Sequence, residues 1–218
     1  MGLQLKADDA RQGDAVSNII RDSGEYIGII TRAEKLISKN MVEGVGLSIR
    51  TDDGASANYL DLYTIKPDGT KLRGYHLVQA LLCCTRVKNA DEGRISFEKW
   101  DSNERRLVPV QSDGYPSLMG KRVGVFLQRE LQTHSITGED VERLNLIGFF
   151  EATSHLTATE ILDGKTKAER IEKYRKIITA TPLRDARKGA GQKQQPKQKS
   201  STPTESSIDQ GFDDDIPF

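Results

Sequence analysis

Residues able to do covalent chemistry are few and scattered in this 218-residue chain. Gly114 to Lys121 approaches a phosphate-binding loop, but five residues separate Gly114 from Gly120 where that motif needs four. Arg122 then stands where a magnesium-holding Ser or Thr belongs. Gly164-Lys165-Thr166 has the right ending, yet Thr159 occupies the place of the first glycine. No Gly-x-Ser-x-Gly elbow and no His-x-x-x-His pair occurs. The 3 histidines are dispersed, and the adjacent Cys83 and Cys84 give neither metal-ligand spacing nor a disulfide framework. Asp52-Asp53 and Asp213 to Asp215 lack convergent partners in the sequence. The chain reads as a non-enzyme, and no metal or cofactor is expected.

Binding chemistry is better represented. Val45, Leu47 and Ile49 alternate with Gly46, Ser48 and Arg50, the pattern of a half-buried strand. After the turn signal Asp52-Asp53-Gly54, alternation resumes from Asn58 to Ile65 with Leu60 and Leu62 on one face. Strand parity then puts Ser48, Arg50, Tyr59, Asp61 and Tyr63 on the opposite face. Two exposed tyrosines on a polar strand suit base stacking, because every nucleobase has a π-face. The other reading packs these tyrosines beneath the C-terminal helices with their hydroxyls at the rim. Lys71 and Arg73, and the pairs Arg105-Arg106 and Lys121-Arg122, are candidates to track phosphates together with Arg50.

These residues need a frame. Tyr26 to Leu36 reads as a first strand, and the two alternating segments above supply the second and third. Pro67-Asp68-Gly69 is a turn, and His76 to Arg86 is apolar without Gly or Pro, as in a buried helix. Lys121 to Leu131 and Leu144 to Glu151 are the fourth and fifth strands. Thr157 with Glu160 and Thr166 with Glu169 are capping boxes, the second opening a helix through about residue 178. Three strands, a helix, two strands and appended helices is the element order of an OB-fold, a five-stranded barrel that commonly binds single strands. Val87 to Met119 is long for a connection and contains Arg94, Lys99, Trp100, Arg105, Arg106 and Tyr115. It reads equally as a hairpin with Trp100 in a satellite core or as a flap with Trp100 on a ligand.

Charge separates along the chain although the totals cancel at 32 basic and 32 acidic residues. Arg184, Arg187, Lys188, Lys193, Lys197 and Lys199 make residues 183–207 positive; Asp209 and Asp213 to Asp215 make residues 208–218 negative. From Gly189 to Ser207 no aliphatic side chain exceeds alanine, so nothing there offsets the entropy of ordering. The organisation expected is a mainly β binding domain over 1–182, a disordered linker over 183–207 and a terminal tip over 208–218. Residues 1–22 show weak periodicity. No apolar run nears the ~18 residues of a membrane span, and the charged first thirty residues do not resemble a signal peptide, so a cytoplasmic protein is expected.

The chain ends Asp213-Asp214-Asp215-Ile216-Pro217-Phe218. This segment resembles the acidic tip of bacterial single-stranded DNA-binding proteins. The body, with Gly24-Glu25-Tyr26 at its first strand, resembles phage-encoded members of that class by pattern over roughly residues 20–180. The resemblance implies that the domain binds and protects single-stranded DNA in a bacterial cell or its phage-infected state. It also implies that the tip docks on enzymes of replication, recombination and repair. Phe218 brings an aromatic ring and the terminal carboxylate together, Pro217 stiffens the approach, Ile216 adds apolar area, and the aspartates steer toward a basic-rimmed pocket. A recombination mediator or strand-annealing factor is the alternative, and a nuclease with a borrowed tail is a third class without a metal constellation. Oligomeric state is open, a homo-oligomer included.

Overall fold

The computed structural model describes residues 18–187 except 102, 105, 135 and 136. Arg105, most of the expected linker and the whole terminal tip, Asp213 to Phe218, therefore lie outside the described residues.

The fold is mainly β. Strand β1 (Gly24–Ile37) is long enough to serve two neighbours. Its first half pairs antiparallel with β6 (Arg122–Thr133), from Gly24 opposite Leu127 to Ile29 opposite Arg122. Its second half pairs with β2 (Glu43–Thr51), which in turn pairs with β3 (Ser56–Ile65). On the far side β6 pairs with β7 (Asp140–Phe150). The path β3-β2-β1-β6-β7 is antiparallel throughout. Among the described residues no ladder joins β3 to β7; helix α1 (Arg73–Cys84) packs across both instead.

That helix lies closer to β3 than a side chain at position 74 would permit. A Cβ on Gly74 would stand 2.0 Å from the Tyr63 carbonyl oxygen. Leu81 and Cys84 enter the core, where Ala33, Leu47, Ile49, Leu60, Val123, Val125 and Leu146 meet from five strands. Helix α1 begins at Arg73 rather than His76 and stops at Cys84, short of Arg86, which turns to φ +57° and cannot continue it. Ile20, in the weakly periodic N-terminal stretch, is buried and bonded to Ser56.

The long connection is a hairpin. Strands β4 (Gly93–Asp101) and β5 (Arg106–Gly114) pair over their full length, from Gly93 opposite Gly114 to Asp101 opposite Arg106. They join β1 through one register pair, Glu34 with Gly114. A 3₁₀ turn, Pro116–Leu118, leads back into β6.

Two short helices follow β7: α2 (Ala158–Leu162) and α3 (Arg170–Ala180). The Thr157–Glu160 capping box opens α2 as expected. The Thr166–Glu169 box does not form, and α3 begins at Arg170 without a side-chain cap from its own N-cap residue, Glu169. Glu160, fully buried, accepts the Glu169 and Arg170 N–H groups at 2.7 and 2.8 Å instead. One carboxylate thus anchors two helix starts. Helix α3 lies on the outside of β6 and β7, with Tyr174 stacked on Phe126 at 4.3 Å and Ile171 and Ile178 beside Phe150. Residues Leu183–Asp185, placed in the linker by composition, form a short strand β8 parallel to β6. No helix among the described residues is long and apolar enough to cross a membrane.

Candidate nucleic-acid interface

Two irregularities shape the outer face of β1, β2 and β3. The β1–β2 register shifts between Ile30 and Arg32, so Thr31 is bulged out and Arg32 joins Glu34 and Leu36 on that face. The β2–β3 register shifts between Leu47 and Ile49, where Asn58 and Tyr59 together oppose Ser48. Tyr59 takes φ +58°, an uncommon conformation for a bulky residue, which turns its ring out of the pleat. The ladder then sets Leu36, Gly44 and Tyr63 in one row and Glu34, Gly46 and Asp61 in the next. Arg50 shares a row with Ile29 and Ser56.

The middle column, Gly44-Gly46-Ser48, is a trough of small residues. Side chains from both flanking strands lie in it. A Cβ on Gly46 would come within 2.6 Å of Arg32 Nη2, and one on Gly44 within 3.2 Å of the Tyr63 ring. The Arg32 guanidinium has its carbon 5.3 Å from the Tyr59 ring centre and 5.5 Å from that of Phe97, which reaches over from β4. Its Nε donates to Glu34 at 2.7 Å, and Glu34 also accepts from Ser112 of β5 at 2.8 Å. A buried arginine sandwiched by rings and paired on one edge is held rigidly.

The sequence-derived candidates divide into groups. Tyr59 is 57% exposed and Tyr63 half-buried, both on this face and away from the C-terminal helices. Burial raises the Tyr63 phenol above its ordinary pKa, with Asp61 adding to the shift. Arg50 is exposed beyond the Tyr59 end of the row. At the Tyr63 end, Lys71 bridges to Ile65 and places its Nζ 4.4 Å from the Tyr75 ring centre, with Arg73 exposed two residues on. Cations therefore flank both ends of the tyrosine row. Lys121 and Arg122 lie at the Arg50 end, Arg122 in register with Ile29. Arg122 is committed, its Nη1 donating to Asp52 at 2.7 Å, and this hydrogen bond holds the Asp52 carboxyl below the usual range.

The hairpin residues separate from this group. Ile95 and Phe97 are buried against the domain, whereas Trp100 has the opposite parity. Trp100 is 55% exposed and pairs across the strands with exposed Leu107 near the hairpin tip. It is in neither a satellite core nor the trough. Arg106 pairs with Glu104 at that tip, Nε to Oε2 at 2.6 Å. Arg32, Asp61 and Phe97 complete the trough without having been candidates. A bulge at Thr31 has no sequence signature, so the sequence alone does not assign Arg32 to this face.

No protein-family model matches this chain, and no curated protein sequence is significantly similar to it.

Proposed function

We propose that this protein binds and protects single-stranded DNA and brings enzymes of DNA metabolism to it through its C-terminal tip. The observation that carries the reading is the tyrosine row: Tyr59 and Tyr63 on one sheet face, with Arg50 beyond one end and Lys71 beyond the other. Bases stacked on the rings would leave phosphates within reach of those cations. Splitting β1 between β2 and β6, with a helix spanning β3 and β7, supports an OB-fold frame, whose second and third strands commonly hold single strands. The hairpin and β8 are additions to that frame. The recruiting role rests on the resemblance of Asp213 to Phe218 to the bacterial tip.

Replacement of Tyr59 or Tyr63 by alanine tests the stacking. Each loses about 1–3 kcal/mol of oligonucleotide affinity, the cost of one base–ring contact, while the melting temperature holds. Unchanged affinity in both, or a collapse of stability in both, rules the platform out.

Salt tests the phosphate contacts separately. Log affinity for a dT oligonucleotide should fall against log salt with a slope of about −0.7 per phosphate neutralised. Arg50→Ala should flatten that slope by one such step, whereas Arg106→Ala at the hairpin tip should leave it unaltered. A slope near zero would refute the electrostatic half of the reading.

A further inference from the structure

Asp61 sits in the tyrosine row, and its chemistry is out of place in a surface meant only for phosphates and stacking. It stands two residues from each ring on the same face, in register with Gly46. Its side chain is 36% exposed, and no described residue donates a hydrogen bond to it. Its nearest cationic atom is Arg32 Nη1 at 3.6 Å. That nitrogen is itself buried without a hydrogen-bond partner, on a side chain only 8% exposed. Burial holds the Asp61 carboxyl above its ordinary pKa, the charges of Arg32 and Arg143 opposing that rise only in part. Asp61 and Arg32 thus form an ion pair without a hydrogen bond, which leaves hydrogen-bonding capacity on the carboxylate beside the tyrosine rings.

We infer, resting on the single-strand reading above, that Asp61 selects guanine among the bases that reach this face. An ionised carboxylate can only accept, and it accepts best from two donors side by side. Guanine alone among the four DNA bases presents two adjacent N–H donors on its Watson–Crick edge, N1–H and the 2-amino group. In a single strand that edge is free to be read. A guanine stacked on Tyr59 or Tyr63 would meet both Asp61 oxygens with both donors. Thymine offers one N–H between two carbonyls, which a carboxylate repels. Adenine and cytosine each offer one amino group beside a ring nitrogen that is an acceptor. The same negative charge excludes phosphates from the trough, so the strand must run with bases inward and backbone toward Arg50 and Lys71.

The test is fluorescence anisotropy of the full chain with a short labelled dT oligonucleotide and the same strand carrying one central guanine, inosine, adenine or cytosine. Guanine should bind about tenfold tighter than adenine or cytosine, the discrimination of one bidentate contact. Inosine lacks the 2-amino group and should lose most of that gain. Asp61→Asn should lose the guanine preference, the guanine-bearing strand then binding no tighter than the adenine- or cytosine-bearing ones. Equal binding of all five strands by the unaltered protein would overturn guanine selection and leave single-strand binding standing. Binding of none would remove both. An Asp61→Asn protein that still prefers guanine would overturn the assignment to this residue. The inosine comparison needs no variant, so it decides the matter even if the substitution unfolds the domain.

Discussion

Glu160→Ala should cost roughly 3 kcal/mol of folding stability, because it orphans several buried donors at once. The carboxylate is fully buried and accepts the Thr157 N–H and hydroxyl at 2.8 Å, and the Glu169 and Arg170 N–H groups at 2.7 and 2.8 Å. Two of these donors open α3, where the helix dipole also favours an anion. Burial alone would raise the carboxyl pKa, but the hydrogen bonds outweigh it and the net shift is downward from 4.5. A depressed native pKa contributes stability that is complete above the unfolded value and lost as pH falls through the native one. Urea unfolding followed from neutral pH into acid should therefore show the gap between parent and variant shrinking below about 4.5. Glu160→Gln keeps an acceptor but no charge and should fall between them. A variant as stable as the parent at pH 7 would mean that the two helix starts are held by packing alone.

The second large effect concerns the terminus. Phe218→Ala should weaken docking to a partner enzyme by about 30-fold or more, as loss of a buried aromatic anchor does. It keeps all three aspartates, Asp213 to Asp215, so a purely electrostatic tip would be indifferent to it. Removing residues 211–218 should abolish docking and leave affinity for single-stranded DNA unchanged or tighter. The tightening should be largest at low salt, since a negative segment tethered to the domain competes with phosphates for the same cations. Surface plasmon resonance with an immobilised partner, beside anisotropy with a dT oligonucleotide, reads both quantities. A truncated chain that binds DNA markedly worse, or a Phe218→Ala chain that recruits undiminished, would show that the likeness at the terminus misleads about its role.

Local chemistry alone determined a good part of this protein. Alternation of Val45, Leu47, Ile49, Leu60 and Leu62 placed two strands and assigned Tyr59, Asp61 and Tyr63 to their outer face, because side chains in a strand alternate whatever it pairs with. Thr157 and Glu160 announced a helix start, since both partners lie within one turn. Contacts between distant segments were legible only in the tertiary structure. Val87 to Met119 reads from sequence equally as a hairpin or a flap, and only the pairing of β4 with β5 decides for the hairpin. Glu160 reaches past its own helix to α3, displacing the box that Thr166 and Glu169 would have made. Above all, the bulge at Thr31 turns Arg32 onto the tyrosine face, between Tyr59 and Phe97 and against Asp61. A register shift is a compromise between two strands and the layers packed on them, and neither strand's own residues encode it.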